Sequence, residues 1–256
     1  MITIPSLVEE HAIQKLCEEE LEEARAIQDV MMPVAPLQTP AFSICHEFQP
    51  LTAVGGDFLD YFQLDDGCVG IYLGDVSGKG LPAAMYAALT VGTLRGVHKT
   101  GQLPSSVLET LNKRLTIRGV PRRHAALLYA VFNPANGEMR ITSAGMPGPL
   151  HLSGSQCQVL EVSGIPPGLF SHATYETTVL SLRPGDSVLF CTDGITEAVN
   201  ARYEDFGIER VIRICATRQN VTPTQLLQSI FSAVHEFSDG FRQHDDMAAA
   251  LFHFFG

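Results

Sequence analysis

Several residue types and patterns are scarce in this chain, and each scarcity excludes a class of protein. Only 17 Lys and Arg stand against 28 Asp and Glu, and a net charge of −11 argues against nonspecific nucleic-acid binding, which needs cations to displace counterions. The six cysteines form no CxxC pair and the nine histidines no HxxxH spacing, so we expect reduced thiols and no zinc site. The longest apolar stretch, near 81–94, is too short to span a bilayer, and no signal peptide is evident. These absences predict a cytoplasmic globular protein without membrane insertion.

The first extended pattern is a helix over 8–32, where no Gly or Pro occurs and strong helix formers dominate. Three prolines in "MPVAPLQTP" end it. Two interpretations stay open: a helix packed on its own domain, or a connecting and dimerising helix, which the many glutamates on its other faces favour. Its apolar stripe consists of residues spaced by threes and fours: Ile13, Cys17, Ala24, Ile27 and Met31.

Beyond Pro40, short β-type runs come in groups joined by turn signals, with helices inserted in pairs. "DDG" at 65–67 and "NPANG" at 133–137 predict tight turns between neighbouring strands. This arrangement predicts an α+β fold with antiparallel sheets, because a parallel α/β fold would alternate strand and helix. We predict strands within 42–48, 57–64, 68–76, 124–132, 138–145, 149–152, 157–162, 187–194 and 245–255, and helices over 81–98, 104–117, 206–218 and 222–237.

The stretch "GDVSGKG" at 74–80 follows an apolar run and looks like a phosphate-binding loop. A Walker A loop needs Gly, four residues, and then Gly-Lys-Ser/Thr. Here Gly78-Lys79 is followed by Gly80, and Leu73 stands where the first glycine is required. The G-x-G-x-x-G spacing of dinucleotide-binding proteins fails too. The failed spacing therefore disfavours a nucleotide-binding loop, which remains a third interpretation.

Carboxylates recur where apolar strands begin or end. Alone, each is explained as a turn residue. Together, four such sites predict a cluster, and convergent carboxylates repel one another unless cations offset their charge. Mg²⁺ and Mn²⁺ favour such oxygen ligands, and a pair of these ions can promote in-line displacement at phosphorus. The residues are Asp57, Asp75, Asp193, and the adjacent Asp245 and Asp246.

Nine ordered segments, from "ARAIQDVMMP" to "HDDMAAALF", resemble the SpoIIE/RsbU-type branch of the PPM (type 2C-like) metal-dependent serine/threonine phosphatases of bacteria. "GDVSGKG" and "TDGITEA" are the most specific of them. The resemblance implies a four-layer αββα sandwich, with two central antiparallel sheets flanked by helices and the metals at one end between the sheets. It divides the chain into a helical linker or dimerisation segment, 1–36, and a phosphatase domain, 37–256.

The same resemblance implies a site for two Mn²⁺ or Mg²⁺ ions. Asp75 would bridge the ions, and the Val76 carbonyl would bind one of them. Asp193 and Asp245 would hold the other, and Asp57 would support the second metal directly or through water. Asp75 and Asp193 are the expected catalytic residues. The complete set of expected ligands, with Asp246 as second choice for the last position, is Asp57, Asp75, Val76, Asp193, Asp245 and Asp246.

The implied reaction is attack of metal-activated hydroxide on phosphoserine or phosphothreonine, without a covalent enzyme intermediate. In this family the substrate is often a phosphorylated STAS-domain anti-sigma-factor antagonist of a partner-switching pathway. A sensor or regulatory protein and a homodimer through the N-terminal helix are further expected partners. The alternative is a catalytically weakened module that binds a phosphoprotein without cleaving it.

Three residues near these motifs carry separate expectations. Met146 stands where the family usually has His, and Ala248 where it usually has Thr; we expect altered hydrogen bonding beside the site. Lys79 is expected to be a solvated charge at the loop tip, with substrate contact as the alternative. No residue is nominated as general acid.

Overall fold

Two antiparallel sheets lie face to face, and helices cover their outer surfaces. The computed structural model describes residues 7–98, 101–217 and 221–256. The helices are α1 (Leu7–Asp29), α2 (Leu81–Arg95), α3 (Pro104–Ile117), α4 (Asp193–Thr196), α5 (Ile208–Ala216) and α6 (Pro223–Ser238). The strands are β1 (Leu37–Gln38), β2 (Phe42–Gln49), β3 (Phe58–Gln63), β4 (Val69–Val76), β5 (Ala125–Asn133), β6 (Glu138–Ala144), β7 (Leu150–Ser153), β8 (Gln156–Val159), β9 (Thr178–Ser181), β10 (Ser187–Cys191) and β11 (Met247–Phe254).

The strand order separates the two sheets cleanly. One sheet has five strands in the order β3-β4-β5-β6-β9, and the other has six in the order β1-β2-β11-β10-β7-β8. All pairings within both sheets are antiparallel. Helices α2 and α3 cover the five-stranded sheet, and α5 and α6 cover the other. The predicted α+β class and the αββα layering are confirmed.

Three apolar layers hold the sandwich together. The central layer lies between the sheets, where the ring of Phe132 contacts those of Phe42, Phe252 and Phe254. An outer layer on each side joins a sheet to its helices. The sequence of strand β4 is almost continuously apolar because both of its faces are buried. Its alternate side chains enter the central layer on one face and the helix-covered layer on the other.

The predicted element positions agree with the structure except at short or terminal pieces. Strands β1 and β9 and helix α4 were not predicted. Helix α2 ends at Arg95 rather than at 98, and α1 ends at Asp29 rather than at 32. The predicted end of α5, residue 218, lies outside the described residues. Within the described ranges, no helix is long and apolar enough to cross a membrane.

The end of α1 packs on the sandwich. The buried side chain of Gln28 donates a hydrogen bond to the Gly55 carbonyl (2.8 Å) and accepts one from the Gly55 amide (3.0 Å). Met31, just beyond α1, joins the layer under α2 and α3, and its carbonyl accepts a hydrogen bond from Arg95. The end of α1 and the residues directly after it therefore pack against the loop at Gly55 and the layer under α2 and α3.

Replacement of Gln28 by alanine should destabilise the fold, because it leaves both backbone groups of Gly55 without this partner. We expect Gln28→Ala to lower the free energy of unfolding by about 1–3 kcal/mol in urea denaturation. Gln14→Ala removes from the same helix an exposed amide that donates a hydrogen bond to the exposed Glu18, and should change stability by less than about 0.5 kcal/mol. Equal effects of the two substitutions would contradict the anchoring role of Gln28.

Candidate metal centre

The predicted aspartates gather at one end of the sandwich. Phe58 pairs with Gly74 in the register of β3 and β4, which places Asp57 and Asp75 side by side on neighbouring strands. In the other sheet, β10 ends two residues before Asp193, and β11 begins directly after Asp246. Because β10 and β11 are antiparallel neighbours, these two strand ends also adjoin.

Gly56 lets the backbone approach the first pair closely. A Cβ atom at this position would lie 2.9 Å from the Val76 carbonyl oxygen and 3.4 Å from an oxygen of the Asp75 carboxylate. No side chain fits there without displacing one of them. The Val76 carbonyl and the Asp75 carboxylate thus lie against the same glycine, and both are oxygen donors.

Burial and mutual repulsion raise the pKa values of three of the aspartates. Asp57 is only 1% exposed, and burial followed by the charge of Asp75 raises its pKa well above the ordinary value. Burial and the charges of Asp193 and Asp245 raise the pKa of Asp75 to about 7. The pKa of Asp193 is raised by burial and then by the charge of Asp245. These side chains are close enough to oppose one another's ionisation.

Asp246 has a different environment from its neighbour Asp245. Its two carboxylate oxygens accept hydrogen bonds from the amides of Leu51 (2.7 Å) and Gly56 (2.6 Å). The side chain is buried, and it lies so close to Gly55 that a Cβ atom there would clash with it. Asp246 therefore anchors the loop that leads to Asp57, and this occupation of both oxygens favours Asp245 as the candidate ligand.

Lys79 reaches across to the second sheet rather than pointing freely into solvent. Its Nζ lies 3.2 Å from Oδ2 of Asp245, and both side chains remain partly exposed. The expectation of a solvated charge was therefore incomplete, because the lysine pairs with a candidate ligand. An exposed pair of this kind contributes at most about 1 kcal/mol, so Asp245 can exchange the ammonium for a divalent cation.

Thr192 is a residue of the centre that sequence reasoning missed. Its buried hydroxyl donates to Asp57 (2.7 Å) and accepts from the amide of Ala248 (3.0 Å), so it joins the two sheets beside the aspartates. The one sequence feature that could have indicated its role is its place in "TDG", directly before Asp193. The hydrogen bond favours ionised Asp57 and opposes the effect of burial on its pKa.

Met146 and Ala248, which stand where the family usually has His and Thr, place apolar side chains in the central layer. Ala248 and Met146 are both buried there. The Met146 carbonyl accepts a hydrogen bond from the Ser143 hydroxyl (2.7 Å), and the Ala248 amide bonds Thr192. Both contacts use the backbone, so they do not depend on the identity of these side chains.

The donor set fits a hard divalent cation. Carboxylates and a carbonyl are the ligands that Mg²⁺ and Mn²⁺ prefer, and positive charge would relieve the repulsion that raises the three pKa values. Among the described residues, no three His, Cys, Asp or Glu side chains already stand close enough together to hold a metal ion. Cation binding at these residues therefore requires movement of their side chains and release of Asp245 by Lys79.

Comparison with known proteins agrees with this fold. The PP2C domain of SiaA from Pseudomonas aeruginosa superposes with a TM-score of 0.83 at 18% identity, over 95% of this chain and 98% of that one. IcfG of Synechocystis sp. is 28% identical over 89% of this chain, and phosphoserine phosphatase RsbU of Bacillus subtilis is 25% identical over 91%. The chain spans 40% of the length of IcfG and 70% of that of RsbU.

The sandwich and its cluster of aspartates define a PP2C-like fold. Residues 65–255 match the family described as Stage II sporulation protein E (SpoIIE). The chain belongs to the SpoIIE family, the SpoIIE/RsbU-type branch of the PPM phosphatases. The matched range contains all the candidate ligands except Asp57, which lies just before it.

Removal of one carboxylate should stabilise the metal-free protein and remove its response to cations. Asp75→Asn relieves repulsion, and a gain of about 1 kcal/mol would raise the Tm in EDTA by about 2–4 °C. Mn²⁺ at about a hundredfold its Kd should stabilise the wild type by about 2.7 kcal/mol and the variant far less. Thermal unfolding with and without Mn²⁺ measures both effects.

Glu161→Gln serves as the matched control, since it removes one negative charge from an exposed position that is not among the candidate ligands. It should leave both the Tm in EDTA and the Mn²⁺ response unchanged. An unaltered Mn²⁺ response in Asp75→Asn would exclude Asp75 as a ligand.

Proposed function

We propose that the chain is a metal-dependent protein phosphatase that hydrolyses phosphoserine or phosphothreonine. The observation that carries this proposal is the convergence of Asp57, Asp75 and Asp193, with raised pKa values, at one end of the sandwich of a SpoIIE-family chain. The relative RsbU is named a phosphoserine phosphatase, which supports the same reaction class.

The proposed ligands are divided between the two sheets. Asp75 and the Val76 carbonyl come from one sheet, and Asp193 and Asp245 from the other, so residues of both sheets would hold the cations. Asp57, oriented by Thr192, would support the second cation directly or through water. When bound, two Mn²⁺ or Mg²⁺ ions would lower the pKa of an attacking water and offset charge on the phosphoryl oxygens.

The remaining tasks fall to the surrounding chain. Thr192 fixes the direction of the Asp57 carboxylate, and Asp246 holds the loop that carries it. Gly56 keeps side-chain bulk away from the donor atoms of Asp75 and Val76. Proton displacement from the carboxylates accompanies cation binding, because a ligand must be deprotonated to bind.

We propose further that the substrate is a phosphorylated STAS-domain anti-sigma-factor antagonist in a partner-switching pathway. The resemblance to the SpoIIE/RsbU branch supports this partner. A sensor or regulatory protein would act on the domain through α1, whose Gln28 contacts the loop before Asp57. The alternative, a weakened phosphoprotein-binding module, is disfavoured because every expected oxygen donor is present and neither Met146 nor Ala248 removes one.

Activity should depend on both the cation and the aspartates. We expect hydrolysis of a phosphoserine peptide with Mn²⁺ and none in EDTA. Asp75→Asn and Asp193→Asn should lower kcat/KM more than Thr192→Val, for which loss of an orienting contact predicts about 10–100-fold. Glu161→Gln should retain full activity. Peptide binding without any turnover would support the binding-module alternative, and an unchanged rate in Asp75→Asn would exclude the proposed centre.

A homodimer through α1 is the expected assembly. Leu16, Ile27 and Val30 are 56%, 66% and 72% exposed, an apolar surface that a second helix could cover. Light scattering at micromolar concentration should give twice the 27.8 kDa of the chain, and Ile27→Glu should reduce it. Val179→Glu, at an exposed valine on β9, should leave the mass unchanged. A monomeric wild type would contradict this assembly.

A further inference from the structure

Positive charge is concentrated in one part of this acidic chain. Residues 110–137 contain five of the 17 Lys and Arg and none of the 28 Asp and Glu. Three of the five lie in the connection between α3 and β5, which we name the arginine loop, residues 118–123. They are Arg118, Arg122 and Arg123.

The arginine loop is fixed against the "SGKG" turn that follows β4. The Ser77 amide donates to the His124 carbonyl (3.0 Å), and the His124 amide donates to the Ser77 hydroxyl (3.1 Å). The Arg123 guanidinium donates through Nη1 to the Ser77 carbonyl. It lies over Gly78, which has φ of +93° and no room for a Cβ atom beside this guanidinium.

This contact places Arg123 at the rim of the candidate metal centre. The carbonyl that it binds belongs to the residue directly after Val76, whose own carbonyl adjoins the Asp75 carboxylate at Gly56. Lys79, two residues further on, crosses the opening to Asp245. The start of the turn thus binds the guanidinium of Arg123, and Lys79 near its end pairs with a candidate ligand.

The guanidinium groups of the arginine loop lack carboxylate partners in the described ranges. Arg95 and Arg140 pair with Asp60 and Glu138, but no such ion pair forms at the three arginines of the loop. Arg118 and Arg122 are exposed, and Arg123 uses Nη1 for Ser77, which leaves Nε and Nη2 available. A guanidinium fork of this kind matches phosphate and carboxylate oxygens.

We propose that the arginine loop binds the phosphorylated segment of the protein substrate. Arg123 contacts a phosphoryl oxygen, and Arg118 and Arg122 contact acidic residues that flank the phosphorylated serine or threonine. This inference rests on the proposed phosphatase function and specifies its substrate class as acidic phosphopeptide segments. The chain outside residues 110–137 has 12 Lys and Arg against 28 Asp and Glu, and this acidic balance repels such a segment, so the loop also directs its approach to the metal centre.

Steady-state kinetics with three substrates tests the phosphate contact of Arg123 and the flank contacts of Arg118 and Arg122 separately. The substrates are a phosphoserine peptide with acidic flanks, the same peptide with neutral flanks, and p-nitrophenyl phosphate, which has no flanks. The double variant Arg118→Gln/Arg122→Gln should raise KM about tenfold for the acidic peptide and leave KM for the other two substrates unchanged. Arg123→Gln should lower kcat/KM about tenfold or more on all three, as expected for loss of a hydrogen bond to a charged group. Arg123→Lys should recover part of it, since lysine keeps the charge but not the fork.

Arg140→Gln is the matched control, because it removes an exposed arginine from β6 and should change none of these constants. The second readout is peptide binding to wild-type protein in EDTA, measured by fluorescence anisotropy. The acidic phosphopeptide should bind, and the double variant should weaken it about tenfold. If Arg123→Gln does not fold, the double variant at the two exposed arginines still tests the proposed flank contacts, and Arg123→Lys still tests the proposed phosphate contact.

The outcomes separate this inference from the function on which it rests. Wild-type turnover with equal KM for acidic and neutral peptides, unchanged in the double variant, would overturn the inference and leave the phosphatase standing. Absence of wild-type turnover on all three substrates with Mn²⁺ would overturn the phosphatase. A fall in molecular mass of the double variant without any change in KM would show that the loop contacts a second copy, and this would also overturn the inference.

Discussion

Repulsion among aspartates held at the joined ends of two sheets is the constraint around which this molecule is arranged. Asp57, Asp75 and Asp193 would move apart if the strands that carry them could separate. The aromatic layer between the sheets and the helices outside them prevent this, so apolar packing offsets an unfavourable electrostatic arrangement. The hydroxyl of Thr192 adds a polar link between the sheets at the place where the charges are concentrated.

Much of this arrangement could be predicted from the sequence, because it follows from strong local signals. Strands buried on both faces give long apolar runs, and the aspartates stand where those runs stop. Short edge pieces were missed for the opposite reason: β1 has two residues after a proline-rich turn, and β9 has only four, with every second side chain exposed. Such segments become strands only when a neighbouring strand offers them a hydrogen-bonding edge.

The finer features of the centre depend on tertiary structure and have little trace in the sequence. Asp245 and Asp246 are equivalent as letters, yet only Asp246 accepts amides of the loop before Asp57. Thr192 acquires its role when the first sheet presents Asp57 to it, and Lys79 acquires its partner when the turn meets the second sheet. In each case the deciding contact joins residues more than a hundred positions apart.

The aspartate cluster and the arginine loop differ in how closely they are tied to the packing of the fold. The aspartates sit on strand ends whose displacement would disturb every apolar layer, so this machinery tolerates little change. The arginine loop is a surface connection between α3 and β5, and its exposed residues can be exchanged without repacking any layer. In a duplicated gene, a few codon changes in this connection would therefore alter the proposed substrate recognition and leave the aspartate centre unchanged. Among such duplicates, the residues of the arginine loop would diverge faster than the aspartates of the candidate metal centre.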